Sequence, residues 1–168
     1  SVSIEHRIKG RQDATPVDGL KDAKAAIRWV RKNAEKLKID KNQIVVGGRS
    51  SGGHLAAATA LIEGYEHEGQ DPEISSEPDA VVLWSPCVDP TVDNWFHYCL
   101  NGQDKVENLS PLHHISEGSV PFLIFQGKND EFLDFESHKR FAEEMKQNNN
   151  SCKLVLFENT SHMEVYEK

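Results

Sequence analysis

Short apolar segments recur along the chain and are separated by polar or helix-patterned stretches. They predict strands at 2–6, 43–47, 80–84, 121–125 and 152–157. Most of these segments are apolar throughout and do not alternate between apolar and polar residues. That pattern is typical of parallel strands that are covered on both faces.

Helical spacing appears between the strands. From Leu20 to Leu37 apolar residues recur at steps of three and four, with Lys and Arg on the opposite face. Ala and Leu dominate a segment that predicts a helix ending near Glu63, and 135–148 predicts another. Strands alternating with helices predict one α/β domain over 1–168, built on a mostly parallel sheet with helices on both faces.

Composition narrows the classes of function. The 168 residues are enough for one domain with a core, and a net charge of −8 argues against a nucleic-acid partner. No apolar run approaches the roughly 18 residues of a membrane span. Cys87, Cys99 and Cys152 are far apart and form no CxxC pair, so neither a zinc site nor a disulfide framework is predicted.

The stretch VVGGRSSGGHLAAA, residues 45–58, joins a predicted strand to a predicted helix through a glycine-rich turn. It is not a dinucleotide fingerprint, because Arg49 breaks the glycine spacing. It is not a P-loop either, because Gly52 is followed by Gly53 and His54 and not by Lys and Ser or Thr. A turn that binds phosphate is therefore not predicted.

The turn does match G-x-S-x-G, the nucleophile elbow, over Gly48 to Gly52. The match places Ser50 at the tip, and small residues two before and two after it let strand and helix approach closely. The backbone N–H of Ser51 then points toward the same spot and can stabilise an oxyanion there. The plain alternative is a glycine turn without chemistry, but the position between a strand and a helix removes most chance matches.

A serine nucleophile needs a base, and the base needs a carboxylate that orients it. Asp130 follows the predicted strand 121–125, and His162 follows 152–157, which is the order that this topology requires. Glu131 and Asp134 compete for the role of the acid. Three other histidines are weaker candidates for the base: His54, His113 and His114.

Several stretches together resemble an α/β-hydrolase of the esterase/lipase type, close to the carbohydrate (acetyl or feruloyl) esterases. They are SVSIEHRIKG, VVGGRSSGGHLAAATAL, SPLHHIS, PFLIFQGKNDEFLDFESHKRFAEEMK and KLVLFENTSHM. The resemblance implies a serine hydrolase of carboxylic esters that needs no metal or organic cofactor. Its substrates would be short acyl esters of carbohydrates or small molecules.

The chain departs from that family near its start. Members carry a His-Gly-Gly-Gly-like loop that supplies a second oxyanion N–H, and the strand before that loop lies between the counterparts of 2–6 and 43–47. Neither is found in this sequence, so the resemblance implies a portion of a longer domain, with 2–6 one strand's width from 43–47. Two other functions stay open: a prolyl-oligopeptidase-type peptidase and a non-catalytic binding module.

Overall fold

The computed structural model describes residues 1–168 and contains one four-stranded parallel sheet. The strands lie side by side in chain order: β1 (Val45–Arg49), β2 (Ala80–Trp84), β3 (Phe122–Gly127) and β4 (Cys152–Phe157). Parallel pairing brings their carboxyl ends to one edge of the sheet, where ligands bind in open α/β sheets. The predicted α/β class with a parallel sheet is confirmed.

Six α-helices accompany the sheet. They are α1 (Lys9–Gln12), α2 (Pro16–Lys32), α3 (Ala34–Leu37), α4 (Ser51–Leu61), α5 (Asn94–Leu100) and α6 (Phe135–Gln147). Single 3₁₀ turns lie at Pro90–Val92, Val106–Leu109, Pro111–His114 and Glu164–Glu167. None of the helices has the length and apolar character needed to cross a bilayer.

The helix predicted over 20–37 is two helices, α2 and α3, which meet at Asn33. The backbone of Asn33 leaves the helical region, and its side-chain amide donates to the Trp29 carbonyl at 2.8 Å. Asn offers the backbone such local hydrogen bonds, which compete with helix continuation. The apolar spacing alone did not reveal this break.

The helices that connect the strands lie on one face of the sheet, which corrects the expectation of helices on both faces. Because β1 to β4 follow one another in order, right-handed crossovers place each connecting helix on the same side. Leu83 and Ile124 point to that side and are fully buried. Phe122 packs against Phe141 of α6 with ring centroids 5.4 Å apart.

The opposite face carries a row of partly buried aromatic residues. Trp84 stacks on Phe125 with ring centroids 5.8 Å apart, and Phe125 stacks on Phe157 at 6.1 Å. Tyr166, in the last 3₁₀ turn, meets Trp84 edge-on at 6.1 Å. The sequence predicted strands that are apolar on both faces, and the structure agrees. On this side, however, no α-helix covers the sheet.

The strand predicted at 2–6 is wrong, because these residues join no ladder. They lie apart from β1, which forms the edge of the sheet. An apolar groove of about 710 Å³ separates the two segments, and its lining includes Val2, Ile27, Val45 and Leu55. A strand requires a hydrogen-bonded neighbour, and residues 2–6 have none within the chain.

Candidate active site

Ser50 occupies a sharp turn between the end of β1 and the start of α4. Its backbone has φ 52° and ψ −120°, outside the regions that serine normally adopts. Such strain costs about 1–3 kcal/mol and persists only where the surroundings hold it. Here the Ser50 N–H donates to the Trp84 carbonyl at 3.0 Å, and the Ser50 carbonyl accepts from the His54 N–H at 3.0 Å.

Two glycines make this turn possible. A Cβ on Gly48 would lie 2.1 Å from the Gly52 carbonyl oxygen, and a Cβ on Gly53 would lie 2.8 Å from the Pro86 Cβ. Gly52 itself has open space where its Cβ would be. The close approach of strand and helix thus depends on Gly48 and Gly53, whereas the sequence motif pointed to Gly48 and Gly52.

Ser51 is the first residue of α4, and its side chain is exposed. A first-turn N–H has no acceptor inside its own helix and lies at the positive end of the helix dipole. The Ser51 N–H is therefore available to a developing negative charge beside Ser50. The described residues contain no glycine-rich loop that would bring a second such donor from the other side.

His162 and Asp130 meet where the loops that follow β4 and β3 converge. His162 Nδ1 lies 2.8 Å from Asp130 Oδ2, and both side chains are nearly excluded from solvent. The loops are joined by the backbone as well, since the Asn129 N–H donates to the Thr160 carbonyl at 3.1 Å. The hydrogen bond to Asp130 fixes His162 Nδ1, whereas His162 Nε2 has no hydrogen bond to the protein.

The carboxylate of Asp130 is held by four donors. Its Oδ2 accepts from His162 and from the Gln126 amide, and its Oδ1 accepts from the N–H groups of Phe132 and Leu133. Burial raises the pKa of Asp130, but the hydrogen bonds from His162, Leu133, Gln126 and Phe132 outweigh it and bring the pKa below its usual value. The group is therefore ionised at neutral pH and oriented on both oxygens.

The two competing carboxylates have other contacts. Asp134 caps the start of α6, where it accepts from the Glu136 N–H at 3.1 Å. Glu131 accepts from the backbone N–H of His162 at 3.2 Å and so contacts the histidine loop without touching the imidazole. Asp130 alone among the three bonds to the ring.

The competing histidines also lie in structural positions. His54 is buried, its Nε2 lies 2.7 Å from the Leu109 carbonyl, and burial lowers its pKa to about 4. His113 bonds through Nδ1 to Ser110 Oγ at 2.8 Å, and His114 shares the same 3₁₀ turn. Neither has a carboxylate partner.

Ser50 Oγ and His162 Nε2 are not hydrogen-bonded in this structure. Catalytic hydrogen bonds are often long in the unliganded state and tighten when substrate binds. A cavity of about 340 Å³ that the sequence did not reveal lies near the pair; its lining includes Cys87, Trp95 and Phe132 but neither Ser50 nor His162. Phe132 meets the His162 ring edge-on at 5.3 Å, and the Cys87 N–H reaches the Ser50 carbonyl at 3.5 Å.

Cys87 is no rival nucleophile, although it lies close to Ser50. Its side chain is buried, and burial raises the pKa of its thiol far above neutral pH. A thiol that stays protonated is a poor nucleophile. Cys87 therefore does not compete with the Ser50 hydroxyl as a candidate nucleophile.

Several known proteins are similar to this chain in sequence or in fold. Thermogutta terrifontis esterase 2, in a structure phosphoramylated by tabun, superposes with a TM-score of 0.89 at 37% identity, over 95% of this chain and 60% of the esterase. Structures of that esterase with propionate or butyrate bound superpose with a TM-score of 0.87. Esterase LipC of Mycobacterium tuberculosis is 28% identical over 74% of this chain and 35% of its own length. Endo-1,4-beta-xylanase B of Butyrivibrio fibrisolvens is 27% identical over 76% of this chain and 21% of its own length.

The chain thus spans about a third of the first of these curated relatives and a fifth of the second. A family model, BD-FAE, matches residues 1–145, which include the serine elbow and the acid loop. The match covers 145 of 168 residues, and the neighbouring structures are α/β-hydrolase esterases. The chain therefore belongs to the BD-FAE family and has the α/β-hydrolase type of fold.

Proposed function

We propose that this protein is a serine hydrolase of carboxylic esters that works through an acyl-enzyme. Ser50 is the nucleophile, His162 the general base and acid, and Asp130 the group that orients the imidazole. The Ser51 N–H is one donor to the oxyanion. The observation that carries the proposal is the His162–Asp130 hydrogen bond, which leaves His162 Nε2 free at the sheet edge that exposes Ser50.

The chemistry follows from these roles. Ser50 Oγ attacks the ester carbonyl carbon while its proton passes to His162 Nε2. The carbonyl oxygen becomes an oxyanion, which the Ser51 N–H and the α4 dipole stabilise. The intermediate collapses to acyl-Ser50, and His162 gives its proton to the departing alkoxide. Water, activated by His162, then attacks the acyl carbon and releases the acid and the free serine.

For the substrate, we propose short acyl esters of carbohydrates or small molecules. Support comes from relatives: Thermogutta esterase 2 has been described with propionate and with butyrate, and one curated relative is a xylanase. The adjacent cavity of about 340 Å³ is small and lined by both polar and apolar groups. A cavity of this size and lining fits a short acyl chain or a sugar better than a long lipid tail.

A non-catalytic binding module is the second candidate. It is favoured by the missing hydrogen bond between Ser50 and His162 and by the single oxyanion donor in the described chain. Against it, the strained backbone of Ser50 destabilises a fold that has no use for it. A peptidase of the prolyl-oligopeptidase type uses the same three residues, and no contact in the structure favours it.

We also propose that residues 1–168 are a portion of a longer hydrolase domain. The chain spans 60% of the Thermogutta esterase that it matches. β1 has an open edge, and a groove separates it from residues 1–4. The proposed function of the whole protein would then depend on a second oxyanion donor from outside these residues.

Active-site labelling tests the function. A fluorophosphonate probe should add its mass to the peptide that carries Ser50, and Ser50→Ala should abolish labelling and lower ester turnover by about 10³-fold or more. Ser51→Ala is the matched control, because only the backbone of Ser51 is used. Labelling that survives Ser50→Ala and disappears in Ser51→Ala would refute the assignment.

A further inference from the structure

Gln126 is a fully buried polar residue at the end of β3. Side chains alternate along a strand, so Gln126 shares its face with Phe122 and Ile124, which belong to the apolar core. An apolar residue would be expected at such a position. The glutamine therefore calls for an explanation from its contacts.

Its amide points at the acid of the candidate triad. Gln126 Nε2 donates to Asp130 Oδ2 at 2.9 Å and to the Gly127 carbonyl at 3.1 Å. Both neighbours are acceptors, so the NH₂ end of the amide must face them. Oδ2 is also the oxygen that accepts from His162 Nδ1 at 2.8 Å. Gln126 and His162 thus share one carboxylate oxygen.

The rest of the amide is poorly satisfied. Gln126 Oε1 is buried without a partner, and so is the hydroxyl oxygen of Ser85. The ladder pairs Trp84 with Phe125, and the Ser85 N–H bonds to the Phe125 carbonyl. Ser85, the residue that follows β2, therefore lies next to the β3 segment that carries Gln126. Burying polar atoms without partners destabilises a fold, and such exceptions in native structures require a reason.

We infer that Gln126 is a positioning residue that holds the Asp130 carboxylate in the orientation in which Oδ2 accepts from His162 Nδ1. This inference rests on the proposed function, since it assigns a role within that same site. Gln126 would not touch the substrate. It would act through Asp130, as Asp130 acts through His162.

The location of Gln126 explains why it is suited to this role. Two of the other donors to Asp130, the N–H groups of Phe132 and Leu133, belong to the same loop as the acid and move with it. Gln126 belongs to β3, which is hydrogen-bonded on both sides. It therefore ties the loop carboxylate to the rigid sheet. Without it, Oδ2 accepts only from His162, and the carboxylate is positioned by its own loop alone. The acceptor that selects the Nδ1–H tautomer of His162 is then held less firmly.

The first test replaces Gln126 by an apolar side chain of similar length, Gln126→Met, in the extended protein that includes the preceding coding sequence. The proton between His162 Nδ1 and Asp130 Oδ2 is followed by proton NMR with ¹⁵N-labelled histidine. We expect its downfield resonance to shift and to exchange faster with water. Ile124→Val, on the same face of the same strand, is the matched control for a general loss of core packing. An unchanged resonance in Gln126→Met, equal to that of Ile124→Val, would overturn the inference.

Kinetics in an active form of the protein give a second measurement. Gln126→Met should lower kcat by roughly 10- to 100-fold, less than loss of the acid itself, with KM unchanged because Gln126 does not contact substrate. Gln126→Glu keeps the shape and places a second carboxyl beside Asp130, so kcat should fall further as pH rises and that carboxyl ionises. A kcat that is equal to wild type at every pH in Gln126→Glu would contradict the inference.

The two readouts separate this inference from the proposed function. If Ser50→Ala retains full ester turnover, the proposed mechanism through Ser50 fails, whatever Gln126 does. A resonance that still changes in Gln126→Met would then support the hydrogen bond from Gln126 as the element that positions Asp130. If Gln126→Met does not fold, Gln126→Glu supplies the same NMR comparison.

Discussion

Gly127 and Thr160 approach so closely that a Cβ on Gly127 would lie 2.2 Å from the Thr160 carbonyl oxygen. Gly127 ends β3 three residues before Asp130, and Thr160 lies two residues before His162. The Thr160 carbonyl also accepts from the Asn129 N–H at 3.1 Å. Contact between these two backbones therefore sets the distance between the acid and the base.

Gly127→Ala should separate the two loops and weaken the His162–Asp130 pair. Contacts below 3.0 Å to backbone atoms cannot be relieved by a side-chain rotation, so the loops themselves must move. We expect a loss of about 1–3 kcal/mol in unfolding free energy, as for other overpacked sites, and a loss of ester turnover. Gly10→Ala is the control, because nothing lies within 4 Å of its Cβ and it is in the short helix α1. Equal stability and turnover in both variants would show that the close contact is dispensable.

Carboxylate substitutions distinguish the candidate acid from its neighbours. Asp130→Asn should keep the fold and lower turnover by as much as about 10⁴-fold, because an amide facing Nδ1 favours the wrong imidazole tautomer. Asp134→Asn should change turnover and stability little, since Asp134 caps α6 and Asn caps helices about as well as Asp. Steady-state kinetics of the two variants, with circular dichroism as a check on folding, decide between them. A severe loss in Asp134→Asn beside a mild one in Asp130→Asn would reverse the assignment.

Asp22 is expected to make the fold sensitive to acid. It accepts from the Arg7 backbone at 2.9 Å and the Arg7 guanidinium at 2.8 Å, and it lies 2.8 Å from His67 Nε2. Burial raises the pKa of Asp22, but the hydrogen bonds from Arg7 and His67 outweigh it and lower the pKa from 3.8 to about 2. A carboxyl with a depressed pKa stabilises the folded state above its unfolded pKa and ceases to do so as pH falls through its folded pKa.

The stability that Asp22 contributes should thus be complete above pH 3.8 and lost as the pH approaches about 2. Thermal melts of the wild type and Asp22→Asn across this range measure it. The difference in Tm should be largest near neutral pH and should shrink toward pH 2. Asp13→Asn, whose side chain is 91% exposed, should show no such difference. A Tm gap for Asp22→Asn that does not vary with pH would argue against this linkage.

The open edge of β1 should accept a further strand. Hydrogen bonding alternates along a parallel strand, and the Ile44 carbonyl and the Ser50 N–H both bond toward the β2 side. The N–H and C=O groups of Val45, Gly47 and Arg49 therefore face the open edge of the sheet. The side chain of Val45 is 59% exposed there, which is unusual for a strand of a parallel sheet.

We predict that the 168 residues expressed alone are poorly folded and nearly inactive toward p-nitrophenyl acetate, and that adding the preceding coding sequence restores both. The loss of one oxyanion donor alone costs about 10²–10³ in turnover. Hydrogen exchange gives a local readout: the amides of Val45, Gly47 and Arg49 should exchange fast alone and slowly in the extended protein. A Gly/Ser extension of equal length is the control. A compact, active monomer of 168 residues would refute the prediction.

The strands and the chemistry of the turn could be read from the sequence because both are local. β2 and β4 lie where the apolar runs predict them, and the elbow at Ser50 follows from glycines that alone tolerate its backbone contacts. The alternation of strands and helices along the chain was enough to predict a parallel sheet. Residues 2–6 show the limit, because an apolar segment becomes a strand only if a neighbour pairs with it.

Only the tertiary structure decided which side chains meet at the sheet edge. The sequence offered Asp130, Glu131 and Asp134 within five residues, and the path of the loop, fixed by the Gly127–Thr160 contact, selects the first of these. The tertiary structure also reveals the contact between Gln126 and Asp130. In the sequence, Gln126 is only one polar residue at the end of an apolar run. Local patterns record which residues are buried. Contacts between distant loops depend on how the strands that carry them are packed side by side.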